Sequence, residues 1–155
     1  MPQLVKGGKH VFGWSKVDAN GAVSLPPEAW IEYKFQIHNE VILTSGSSKS
    51  GGFSIISLEK FLNSSISKIL NKHYGTLEKE LPRNKIFQHN NRNLFIMELK
   101  EQNIIKLNVE ILNEFGVNKN TKLLAVRGSG LGLGLIAKGP IYDEALKHQY
   151  LPLYS

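Results

Sequence analysis

Short apolar runs, some irregularly alternating and some unbroken, are separated by turn residues over most of the chain, and helical spacing governs one long stretch in the middle. Val11, Trp14 and Val17 predict a strand over residues 10–17, and Asp18-Ala19-Asn20-Gly21 predicts a turn after it. Residues 22–25 return as a second strand. Pro26-Pro27 suits a first helical turn, where the missing N–H of proline does no harm, and Glu28 lies near the positive end of that helix. Trp30 and Tyr33 share its buried face. The same order recurs later, with strands over 94–99 and 104–107 and a helix capped by Asn108. Leu112 and Phe115 point inward there, and Gly116 suits a left-handed closing residue. Third strands are expected over 41–44 and 123–126, with fourth strands starting near Phe53 and Leu133. In between, Leu58, Phe61, Leu62, Ile66, Ile69 and Leu70 predict an amphipathic helix over 57–72 whose apolar stripe faces the core. Gly75 and Pro82 mark a linker over 75–84, a shorter helix is expected over 140–148, and the tail beyond Pro152 is expected to fray.

The recurrence has a fixed offset. Gly46-Ser47 and Gly128-Ser129 lie 82 positions apart, and the same shift brings Leu25 onto Leu107, Glu28 onto Glu110, Glu32 onto Glu114 and Gly52 onto Gly134. Tyr33/Phe115, Phe35/Val117, Val41/Leu123, Ile42/Leu124 and Phe53/Leu135 keep apolar character without a gap. Agreement of apolar positions, helix ends and small residues together implies an internal duplication. The expected organisation is a first unit at 1–74, a linker at 75–84 and a second unit at 85–155, the two forming one barrel within a single chain.

Composition narrows the chemistry. The chain has 155 residues, 41% hydrophobic and 21% charged, which is globular rather than disordered or fibrous. With no cysteine there is no disulfide, thiolate metal site or cysteine nucleophile. No apolar run approaches the roughly 18 residues of a membrane span, and the first residues lack the pattern of a secretory leader. A cytoplasmic protein without a membrane partner is the expectation. Lys plus Arg number 19 against 13 Asp plus Glu, a net charge of +6 that suits anionic partners without singling one out. His10, His38, His73, His89 and His148 are scattered with no metal-type pair, and Glu28, Glu32, Glu110 and Glu114 read as solvated carboxylates on helices. No catalytic residue, metal site or cofactor is expected.

The run from Lys16 through Asn20-Gly21 to Pro26-Pro27-Glu28, followed by Tyr33-Lys34-Phe35 and Val41-Ile42-Leu43, resembles the SpoVT/AbrB-like domain. Residues 104–110, Phe115-Gly116-Val117 and Lys122-Leu123-Leu124 resemble it a second time, with Asn108 in place of its proline. That resemblance implies a mainly β fold with short helices: a swapped-hairpin barrel, here of two fused repeats, with a central and a C-terminal helix added. It also implies a DNA-binding transcription regulator, or the antidote half of a toxin pair, acting through basic residues on the first hairpin. The candidates are Lys6, Lys9, His10 and Lys16 in the first unit and Arg92 and Lys106, with Lys85 and Lys100, in the second. Ala22 and Ile104 stand where the family places a cation just after the turn. Contact with the DNA backbone and weak base preference are therefore expected.

Two glycine and serine loops offer another reading. If extended, Gly128, Gly130, Gly132 and Gly134 share one face, and Gly46, Ser48, Ser50 and Gly52 fall in register with them. Close packing of the opposing unit would require such small residues. So would a small anion or phosphorylated metabolite held at Gly46, Ser47, Ser50, Gly52, Gly128, Ser129, Gly130 and Gly132, with charge from Lys49, Arg127 or Lys138. A role in protein interaction, as antidote or scaffold, is the remaining alternative.

Overall fold

The computed structural model describes residues 1–64, 81–89, 91–128 and 131–155. Its strands are β1 (Val11–Val17), β2 (Ala22–Ser24), β3 (Glu40–Ser45), β4 (Phe53–Ser57), β5 (Phe87–His89), β6 (Arg92–Glu98), β7 (Ile104–Lys106), β8 (Thr121–Arg127), β9 (Gly132–Ile136) and β10 (Leu153–Tyr154). The described helices are α1 (Pro27–Glu32), α2 (Leu58–Leu62), α3 (Val109–Glu114) and α4 (Pro140–Ala145). All ten strands belong to one curled, half-barrel sheet in the order β5-β6-β3-β4-β9-β8-β1-β2-β7. Every pair in that order is antiparallel, and β10 joins β1 in parallel.

Local chemistry sets the element ends. Asn108 caps α3 by accepting a hydrogen bond from the Ile111 N–H at 2.9 Å. Both α1 and α3 close through a left-handed residue, Lys34 at φ 56° and Gly116 at φ 68°. After each, a backbone N–H turns back onto the helix, Phe35 to the Trp30 carbonyl and Val117 to the Leu112 carbonyl.

The concave side of the sheet encloses the main core, where Trp30, Tyr33 and Phe35 meet Leu112, Phe115 and Val117 over inward residues of the strands. Phe53 and Phe115 meet at a tilt, with ring centroids 5.3 Å apart. Each such side chain withdrawn from water contributes about 1.5–3 kcal/mol before entropy is counted. The outer side carries two smaller clusters. Ile42, Ile56 and Ile96 lie under Leu58 and Phe61 of α2, while Trp14, Leu124 and Val126 lie under Ala145 of α4. Burial on both faces explains the unbroken apolar runs 41–43 and 123–126, which alternation alone would not require.

The ladders follow the 82-residue offset. Trp14 pairs with Leu124, and their counterparts Ile96 and Ile42 pair with each other. Thus β1 lies beside β8 and β3 beside β6, each joining the two parts of the sequence. Val23 pairs with its own counterpart Ile105. Leu25 N–H donates to the Asn103 carbonyl at 2.8 Å, and Leu107 N–H donates to the Gly21 carbonyl at 2.9 Å, a reciprocal exchange. Left-handed residues recur at the same spacing: Gly21 with Asn103, Lys34 with Gly116 and His38 with Asn120.

Two expectations change, one strand comes in addition, and one expected helix is described only in part. The offset does not run without a gap: Ser45 pairs with Phe53 but Arg127 pairs with Leu133, so the β8–β9 connection is two residues shorter. The tail does not fray, because Trp14 N–H donates to the Pro152 carbonyl at 2.8 Å and β10 forms beyond it. A strand, β5, precedes β6 and pairs with it from Phe87↔Leu94 to His89↔Arg92. Of the helix expected over 57–72, Leu58–Leu62 is helical between the caps Ser57 and Asn63, and 65–72 lie outside the described residues, as does most of the linker 75–84, while Leu81 is buried beside α2.

Candidate functional site

The lysines converge at the C-terminal end of β1. Lys16 stands directly opposite Lys122 of β8, and Lys106 of β7 stands opposite Ala22 of β2. The turn between them is built by Asp18, whose carboxylate accepts from the N–H groups of Ala22 at 2.9 Å and Asn20 at 2.8 Å. Those two bonds, with the fields of Lys16 and Lys106, hold its pKa below the ordinary carboxylate value. Lys122 lies over the Trp14 ring with its ammonium 4.1 Å from the centroid. Lys106 pairs with Glu101 at 3.0 Å. Among the described residues, neither Lys16 nor Lys122 forms an ion pair.

The counterpart face has the opposite sign. The residues 82 positions from Lys16 and Lys122 are Glu98 and Glu40, which stand opposite each other in the same way. Arg83 forks onto Glu40 at 2.8 and 3.1 Å, and His38 lies 3.8 Å from Glu98. One backbone arrangement therefore presents a lysine pair on one side and a carboxylate pair on the other.

The remaining basic candidates do not join Lys16. Lys6 and Lys9 precede β1 at its other end, and His10, whose carbonyl accepts from Arg127 N–H at 2.9 Å, is about 20 Å along the strand from Lys16. Arg92 opens β6 and pairs with His89. Lys100 follows β6 and borders the gap beside β7. Lys122 was missed as a candidate because its proximity to Lys16 arises only from the β1–β8 ladder. Ala22 is 6% exposed, so a long donor at that position would have to displace its neighbours.

The glycine loops pack against the opposing strand. A Cβ on Gly52 would lie 2.0 Å from the Leu135 carbonyl oxygen, and one on Gly132 would lie 2.2 Å from that of Ile55. These are the reciprocal sides of the β4–β9 ladder, so strand approach accounts for the small residues. Gly46 and Gly128 N–H groups close their own turns onto the carbonyls of Gly52 and Gly132. The hydroxyls of Ser47 and Ser50 lie 3.3 Å apart, and the Ser50 carbonyl accepts from the N–H groups of Ala137 and Lys138. Lys49 is exposed. The Arg127 guanidinium forks onto Glu32, tying α1 to the end of β8. Beside it, burial pushes the Tyr33 phenol up. Ser129 and Gly130 lie outside the described residues.

Among the described residues, no three of His, Asp and Glu gather to hold a metal ion, and no helix is long and apolar enough to cross a membrane. Comparison with known proteins finds no matching family model, no matching curated protein and no matching solved structure.

Proposed function

We propose that the chain consists of two fused swapped-hairpin units of the SpoVT/AbrB-like type and binds duplex DNA through its phosphates at Lys16, Lys106 and Lys122. Support for the fused units comes from the exchanged ladders, the reciprocal bonds at Gly21 and Asn103, and the left-handed residues repeated at one offset. The observation that carries the DNA reading is the Lys16–Lys122 pair. Like charges directly opposite on adjacent strands destabilise a sheet unless a counter-charge offsets them. The carboxylate pair has Arg83; the lysine pair has the Trp14 ring and the more distant Asp18, leaving its charge available to an external polyanion.

Phosphates along a duplex supply that counter-charge with little need for base contacts, which agrees with the buried Ala22 beside the turn. Electrophoretic titration of native protein and Lys16→Gln/Lys122→Gln against one duplex at two salt concentrations tests the reading. The native protein is expected to bind more weakly as salt rises. The double variant is expected to flatten the slope of log affinity against log salt by about 1.8 units, at about 0.9 per phosphate contact. Absence of binding by the native protein at low salt, or an unchanged slope in the variant, overturns it.

A further inference from the structure

We infer that the open seam between β6 and β7 is a binding site for a small, uncharged, mainly apolar molecule. The two hairpins that begin the units diverge at this point. In the first, β1 and β2 join at Val17↔Val23, and Asp18 N–H donates to the Ala22 carbonyl at 3.0 Å. The Asp18 carboxylate organises the turn by accepting two N–H groups. In the second, the residue at the Asp18 offset is Lys100, which has no acceptor to offer. No ladder joins β6 to β7 among the described residues, and a single bridge, Glu101↔Ile104, remains.

The inward residues change with the turn. Gly13 and Ser15 of β1 correspond to Phe95 and Met97 of β6, and these larger side chains border the gap. With Ile104 and Ile105 they line a cavity of about 310 Å³ that shares Phe95 and Ile105 with the main core. That volume is at the small end of ligand pockets. The rim carries two carboxylates, Glu98 and Glu101, and two ammoniums, Lys100 and Lys106, so it selects neither sign of charge. Glu101 and Lys106 already satisfy each other at 3.0 Å. An apolar body displacing water from the half-buried Met97 and Ile104, over a floor of buried Phe95 and Ile105, gains the transfer free energy of its own area and of the part of theirs that it covers. A charged head would meet one group of each sign, Glu98 and Lys100, and so gain little net attraction.

The chain has two methionines, Met1 and Met97, so methyl NMR of the full-length protein reports on the seam directly. Titration with the neutral probe N-phenyl-1-naphthylamine is expected to move the Met97 methyl resonance saturably, leave Met1 in place and raise probe fluorescence with one-to-one stoichiometry. Met97→Trp fills the cavity and is expected to weaken binding at least tenfold. Lys100→Asp restores the carboxylate that closes the first hairpin and is expected to do the same, with slowed amide exchange at Ile104, the counterpart of Ala22. No saturable shift at Met97, or undiminished probe binding in Met97→Trp, overturns the inference. The drop in salt slope that Lys16→Gln/Lys122→Gln causes is expected to be the same in a Met97→Trp background, because that lysine pair lies on β1 and β8, away from the seam.

Discussion

Lys34 occupies a conformation that its counterpart satisfies with glycine. Both residues end a six-residue helix at positive φ, 56° for Lys34 and 68° for Gly116, but only the lysine carries a Cβ that crowds the backbone there. Lys34→Gly is expected to stabilise the protein by about 1 kcal/mol and Gly116→Lys to destabilise it by about the same amount. Urea midpoints at constant slope measure both, and a loss of stability in Lys34→Gly would refute the assignment of strain. Gly21 has no such latitude. Its Cβ would lie 2.0 Å from the Leu107 carbonyl oxygen at φ 82°, so Gly21→Ala is expected to cost more than about 2 kcal/mol in the same assay. Asn103 fills the corresponding position at φ 61°, a conformation asparagine tolerates better than most residues.

At the scale of elements, β10 is held by a phenol. Tyr154 donates to Glu28 at 3.0 Å, and burial followed by that carboxylate pushes its pKa up to about 12. A raised tyrosine pKa favours the neutral, folded form. Its contribution is complete below the ordinary value near 10 and is lost as pH rises through about 12. Release of β10 from Trp14 over that interval is expected to shift tryptophan emission to the red, with a smaller shift in Tyr154→Phe. An identical alkaline transition in the variant would exclude Tyr154 as the cause.

The same strand shows why some elements were illegible. Leu153 and Tyr154 form two residues of strand after a proline, too few for any periodicity, and only the exposed edge of β1 gives them a place. Likewise β5 contains three residues, and its pairing with Leu94 is a tertiary fact. By contrast, the first hairpin, α1, α3 and the third and fourth strands were legible because turn glycines, prolines and apolar runs mark them locally. For the candidate site, Lys16 and Lys106 were visible in the sequence. Lys122 required the knowledge that β1 lies beside β8.

For the whole molecule, that exchange makes each half incomplete. Residues 1–74 contain β1, β2, β3 and β4, but β1 and β3 have their long ladders with β8 and β6. Expressed alone, this fragment is expected to pair with itself or remain unfolded, because its strand edges and core faces are open. Light scattering and amide NMR distinguish these outcomes from a dispersed monomer, which would contradict the account. The β1–β8 ladder also has a history. Trp14 pairs with a residue 110 positions further along the chain, Leu124. At the usual pace of protein synthesis, roughly 5–20 s pass between the making of the two. Throughout that interval the nascent chain carries Val11, Phe12 and Trp14 without their long ladder, so the ribosome's speed over residues 18–120 governs how long the first strand waits for its partner.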